Sequence, residues 1–193
     1  MLLNKLHFII VRFYKFLIFF FLIILFIHPV HSSQTNKLNQ LFFELKKNNN
    51  FKNADLLEKK IWAIWNKHPK HIKLTEKLEF GTELMYSGNY DYALIVFNNI
   101  INADPNWSEA WNKRATLLYF MKRFQKSLTD IDKVLLIEER HFGALSGQAQ
   151  IYIQLQKYEL AIDSLKKARE IHPTIRGNDL IIELEELIKS QSI

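Results

Sequence analysis

A chain of 193 residues suits one domain or one short array, and its apolar share of 48% is ordinary for a globular protein. It contains no cysteine, which excludes disulfides, thiol catalysis, thiolate metal sites and acylation of an N-terminal cysteine. The net charge of +6 is uneven: residues 37–77 hold ten lysines against Glu44, Asp55, Glu58 and Glu76, while residues 78–193 hold 13 basic and 16 acidic side chains. Lysine and asparagine without clustered arginine do not read as a nucleic-acid interface. A solvated helix face is the simpler reading, with a membrane surface or an acidic partner as the alternative.

Residues 1–32 read as an export signal. Lys5, Arg12 and Lys15 form a positive head, and Phe16 to Ile27 is an unbroken run of twelve apolar residues. Val30 and Ser32 place small residues at alternate positions, so cleavage after Ser32 is one expectation. Retention as an anchor through residues 8–27 is the other, although Arg12 and Lys15 interrupt that span. Either way the positive flank stays in the cytoplasm and the remainder is exported, periplasmic or anchored facing the periplasm in a Gram-negative cell. No cysteine follows the run, which excludes a lipoprotein.

Residues 33–37 read as a polar linker. Leu38, Leu41, Phe42 and Leu45 then follow helical spacing. Asn53 is the expected cap of a second helix, along which Leu57, Ile61, Ile64 and Trp65 share a face until His68 and Pro69 stop it. Residues 38–73 are therefore expected to form a degenerate first repeat or N-terminal cap.

From there the chain repeats itself every 34 residues, over 74–107, 108–141 and 142–175. Gly81, Ala115 and Ala149 are in step, as are Tyr90, Phe124 and Tyr158; Ala93, Ser127 and Ala161; and Phe97, Ile131 and Leu165. Each unit predicts two helices joined by a short turn: Ser87, Gly88 and Asn89, then Lys122 and Arg123, then Gln156 and Lys157. The small residue lets the paired helices approach and the large one fills the gap between neighbours. Pro105 and Pro173 begin the passage to the next unit. Gly177 breaks the chain, and residues 178–190 predict a capping helix with Leu180, Ile181, Leu184, Leu187 and Ile188 as its apolar stripe.

These positions resemble the tetratricopeptide repeat (TPR) family. The first unit matches with Phe80, Gly81, Leu84, Tyr90, Ala93, Phe97 and Pro105. The second matches with Trp111, Ala115, Leu118 and Phe124, with Ser127 and Glu139 as departures; the third with Ala149, Tyr152, Tyr158, Ala161, Leu165, Ala168 and Pro173. The stretches EAWNKRATLLYFMKRF and RHFGALSG resemble exported bacterial TPR proteins of unassigned activity. The resemblance implies an all-α, right-handed superhelix of about nine helices in antiparallel pairs. It also implies a concave groove, lined by the first helices, that binds a protein or peptide. Carrying over the family's groove positions gives Leu78, Thr82, Met85 and Tyr86; Asn112, Lys113, Thr116, Tyr119 and Phe120; and Ser146, Gln150 and Ile153. Tyr119 and Phe120 would anchor a partner, and Asn112 would bond its backbone. Asn112 and Lys113 are adjacent rather than one turn apart, which disfavours the family's clamp for a C-terminal carboxylate.

Catalysis finds little support. The glycines Gly81, Gly88, Gly143, Gly147 and Gly177 form no phosphate loop, and no serine sits in a nucleophile elbow. Asp130 and Asp132 diverge on a helix. Pro69 between His68 and His71 argues against a helical metal pair; His28, His141 and His172 read as isolated residues. No cofactor motif is present. Asn106, Trp107 and Ser108 spell a glycosylation sequon, for which helix capping by Asn106 and Ser108 is the simpler account. The sequence thus favours a non-catalytic binding scaffold or assembly factor. The alternative is a homo-oligomeric structural protein whose Lys-rich first hairpin meets a membrane surface.

Overall fold

The computed structural model describes residues 30–175 and 178–191. The leader or anchor expected over residues 1–32 lies outside them, apart from its last three positions. Contacts divide the chain into two units, 1–37 and 38–193; all side-chain contacts below belong to the second.

Among the described residues there are nine helices and no strand: α1 (Val30–Lys46), α2 (Phe51–Trp65), α3 (Ile72–Tyr86), α4 (Tyr90–Ala103), α5 (Ser108–Phe120), α6 (Phe124–Ile137), α7 (Phe142–Gln154), α8 (Tyr158–Ile171) and α9 (Asn178–Gln191). Residues 33–37, expected as a linker, are helical within α1. None of these helices is long and apolar enough to cross a membrane.

Helices α3 to α8 form the three expected pairs. Within each pair the turn has the same backbone. Gly88, Lys122 and Gln156, 34 residues apart, all take positive φ, at 83°, 57° and 56°. The next amide reaches back to the preceding helix: Asn89 to the Leu84 carbonyl at 2.9 Å, Arg123 to Leu118 at 2.8 Å and Lys157 to Tyr152 at 2.8 Å. This left-handed stop satisfies carbonyls that the helix end would orphan. Glycine adopts it without strain, whereas lysine and glutamine are held there by the flanking helices.

The small positions do what their spacing predicts. Ala93 and Ala161 are fully buried. A Cβ on Gly81 would come within 2.7 Å of Cε1 of Phe97, so glycine is what lets that ring seat. Ser127, the departure from alanine, donates its hydroxyl to the Ala115 carbonyl at 2.6 Å, so the second pair stays close without leaving a buried hydroxyl unpaired. Fully burying Phe97 contributes about 1.5–3 kcal/mol. The pairs are further tied by Arg114. Its Nε and Nη2 donate to Asp130 on α6 at 2.7 Å each, and its Nη1 donates to Asn98 on α4 at 2.8 Å. Asp130 is therefore a packing residue.

Two expected caps are replaced. Asn50 caps α2, accepting the Asn53 amide at 3.1 Å, because it sits at the extended position just before the helix while Asn53 lies inside it. At the sequon, Trp107 occupies the cap position of α5, and Ser108 is already helical. The Asn106 amide turns back onto Asp104 Oδ1 at 2.9 Å.

The hairpin formed by α1 and α2 has a more distant partner than the period suggests. Its apolar face, with Leu38, Leu41, Phe42, Leu45, Leu57, Ile61 and Trp65, shares a core with Phe142 and packs against Ile171 and Ile175. Those residues belong to the third repeat, not to the neighbouring one.

Candidate functional site

The first helices of the second and third pairs, α5 and α7, present their N-terminal ends to α2. Trp65 stacks flat on His141, with ring centroids 4.0 Å apart and planes 8° from parallel. Trp62 stands edge-on to Phe142 at 5.7 Å and over Gly143, where there is no side chain to obstruct it. Contacts of this kind contribute about 0.5–1.5 kcal/mol each beyond the area they bury. The hairpin is also tied at its flanks. Trp107 donates its indole N–H to the Trp65 carbonyl at 2.9 Å, and Arg140 donates to Asn39 at 2.8 Å with its guanidinium 4.4 Å from the Phe42 ring centroid.

Beneath the tryptophans lies a polar cluster with a fully buried acid–histidine pair at its centre and Lys113 at its partly exposed edge. Glu109 and His141 are both fully buried, with Glu109 Oε2 3.1 Å from His141 Nε2. His141 Nδ1 accepts the Ala144 amide at 3.1 Å and so caps α7. That leaves the ring proton on Nε2, which donates to Glu109. Asn112 donates to the same carboxylate oxygen at 3.1 Å. Lys113 Nζ lies 3.1 Å from the other oxygen as an ion pair rather than an aligned hydrogen bond, since Oε1 otherwise lacks a partner. Burial acts to raise the Glu109 pKa, but the His141 hydrogen bond and the Lys113 charge outweigh it and hold the carboxyl below its ordinary value.

A second acid–histidine pair joins the hairpin to the third repeat, with His172 Nε2 3.1 Å from Glu58 Oε2. The hydrogen bond from His172, aided by one from Trp62, holds the Glu58 carboxyl below its ordinary value against partial burial. His68 makes a third pair, with Nε2 2.9 Å from Asp104 Oδ2, while its Nδ1 accepts the Lys70 and His71 amides. Both nitrogens of His68 are thus engaged in shaping the entry to α3. His141 and His172, which read as isolated in the sequence, find their acids 32 and 114 residues away.

This arrangement divides the expected groove residues. Met85 is 1% exposed and belongs to the core of the first pair, so it does not line the groove. Asn112 is buried and bound to Glu109, so it supports the groove wall rather than standing free to bond a partner's backbone. Lys113, on the same turn, is paired with that acid and lies 5.9 Å from the Trp62 ring centroid. At the C-terminal ends of the first helices the surface is open. Tyr86 is 72% and Phe120 39% exposed, and Gln150 is exposed. Phe120 stacks 6.4 Å from Tyr90 and adjoins Tyr86 and Tyr119, forming an aromatic ledge. Thr116 donates its hydroxyl to the Asn112 carbonyl at 3.0 Å. With Asn112, Tyr119, Gly147 and Gln150 it lines a slot of about 60 Å³ between α5 and α7 that reaches back to Gly143 beside the covered end. Nothing in the sequence pattern marks Trp62, Glu109, His141 or Gly143 as meeting there, and Trp65 is legible only as part of the apolar face of its helix.

Among the described residues no group of three or more metal-ligating side chains converges. Antiparallel helix pairs stacked in register, with a groove on the side of the first helices, define a helical-repeat protein of superhelical type. Residues 143–174 match the tetratricopeptide repeat family model. A TPR repeat-containing protein of Rhizobium etli is 32% identical over 145 residues, covering 75% of this chain and 71% of that protein. The chain belongs to the tetratricopeptide repeat family. It spans only 18% of a longer relative, sperm-associated antigen 1 of Rattus norvegicus, which is 27% identical over 162 residues. Among solved structures, the first TPR of Spaghetti (RPAP3) bound to HSP90 peptide SRMEEVD superposes with a TM-score of 0.58 at 20% identity, covering 61% of this chain and 94% of that one. A tetratricopeptide repeat protein from Parabacteroides merdae gives 0.56 at 21% identity, covering 82% and 61%. At these identities the likeness concerns the fold.

Proposed function

We propose that this chain is a non-catalytic scaffold or assembly factor that captures a segment of a partner protein at the open end of its groove. The observation that carries this reading is the contrast between the two ends. The covered end is closed by the chain's own tryptophans, while the other keeps Tyr86, Phe120 and Gln150 at the surface beside a slot. Exposed aromatics on rigid helices anchor a partner's side chains at low entropic cost, and neutral polar groups beside them suit its main chain. No charged residue lines the slot, so it suits an uncharged part of an extended peptide. The first TPR of Spaghetti (RPAP3), which shares this fold, is bound to an HSP90 peptide, and this supports a peptide as the class of partner. The apolar run at 16–27 supports a place on the exported side of the inner membrane, with the segment either removed or kept as an anchor.

Photo-crosslinking in intact cells tests this reading. A photoreactive residue at Gln150 should give a discrete adduct that one at Leu136, exposed on α6 away from the groove, does not give. Equal adducts from both positions, or none from Gln150, would overturn it.

A further inference from the structure

The first hairpin has a second face that its core contacts leave open. Between α1 and α2 lies a shallow concavity of about 680 Å³, walled by Phe43, Leu56, Lys47 and Lys60 and closed by the turn at Asn49. Phe43 and Leu56 in its wall are 61% and 51% exposed, and Phe51 at the start of α2 is 73% exposed. Lys47 Nζ sits 3.8 Å from the Phe43 ring centroid, which places an ammonium beside the apolar patch. Of the hairpin's acids, Asp55 pairs with Lys59 and Glu58 binds His172, while Glu44 lines the concavity and accepts only from the neutral Gln40, so its single charge stands against the lysines around it. Lys46, Lys47, Lys52 and Lys60 are exposed, and among the described residues no carboxylate pairs with them. In the sequence the apolar run ends at Ile27 and α1 opens at Val30.

We propose that this outer face docks on an anionic bilayer surface, with the lysines at the headgroup phosphates and Phe43, Phe51 and Leu56 in the interfacial layer. A basic patch mixed with apolar side chains is the combination that holds a domain against negatively charged lipid. A second copy is a poorer occupant, because pairing two such faces would set four lysines against four with a single carboxylate, Glu44, on each. The proposal rests on the reading that the chain works beside a membrane; it is independent of partner capture at the groove.

The chain's lack of cysteine makes the test direct. The full-length protein, carrying a polarity-sensitive fluorophore at either Asn49→Cys or Leu136→Cys, is reconstituted into phosphatidylcholine vesicles with or without about a third of phosphatidylglycerol. The Asn49 probe should shift to the blue only with the anionic lipid. The shift should vanish in about 1 M salt, where the screening length is about 3 Å. It should also vanish when Lys46, Lys47, Lys52 and Lys60 are replaced by Gln, while the Leu136 probe stays unchanged. Equal emission at Asn49 in both vesicle types, or equal response at both sites, would overturn the proposal. So would a shift without vesicles that grows with protein concentration, which would assign the face to a second copy.

Discussion

A Cβ placed on Gly143 would stand 2.5 Å from Cη2 of Trp62 and 2.7 Å from its Cζ2. The residue at the start of α7 must be bare for the tryptophan of α2 to lie across it, so the two positions specify each other. Gly143→Ala should therefore lower stability by about 1–3 kcal/mol, as overpacking does. Made in a Trp62→Ala background it should cost far less, the non-additivity expected of residues in contact. Urea midpoints of the four proteins in the cycle measure it; equal costs in both backgrounds would separate the two residues.

Gly147, one turn further along α7, behaves oppositely. The nearest atom to a Cβ built there is Ile131 Cδ1 at 4.0 Å, so packing does not require glycine. Gly147→Ala should raise stability by up to about 1 kcal/mol through helix propensity. Because the added methyl narrows the slot, the same substitution should weaken the Gln150 crosslink. A more stable protein with undiminished crosslinking would show that the slot is not used.

The left-handed turns give a third expectation. Replacing Gly88 by Ala should be destabilising, since φ at that position is 83°. Replacing Gln156 by Gly relieves a non-glycine residue at φ 56° and should be neutral to stabilising by about 1 kcal/mol. The thermal midpoint should fall for Gly88→Ala and hold or rise for Gln156→Gly.

The acid response follows from Glu109 and Glu58. Both carboxyls lie below the ordinary value of 4.5 in the folded chain, so the stability they contribute is fully present above the unfolded-state pKa and is lost as pH falls through the folded one. On acidification below about pH 4.5 protonation of Glu58 should weaken the contact between hairpin and repeats, and protonation of Glu109 should weaken the tie between α5 and α7 beneath it. Glu109→Gln should be less stable at neutral pH, because Lys113 and His141 lose their anion, and should show a shallower acid limb in a pH series of unfolding midpoints. An unchanged limb would place the acid sensitivity elsewhere.

The repeats were legible because their information is local. A 34-residue period carries its own small-against-large pairing, and Gly81 with Phe97 or Ala161 with Leu165 can be read as neighbours without knowing the fold. The hairpin's destination was not legible in that way. Phe42 meets Phe142, Glu58 meets His172 and Trp62 meets Gly143, and nothing in periodicity specifies contacts across such separations. The same gap accounts for Asn112, whose family position suggested a free groove donor until Glu109, three residues earlier on α5, proved to hold it. Met85 failed for a simpler reason: on an amphipathic helix the apolar groove position and the core position are less than a turn apart.

Amide hydrogen exchange along α2 tests the central claim most directly, that the first hairpin closes one end of the groove. Amides of residues 57–65 should be protected to the same degree as those of α5 and α7, and Gly143→Leu should release that protection while leaving α4 and α6 unchanged. Rapid exchange at 57–65 in the unaltered protein, beneath fully protected repeats, would contradict the account.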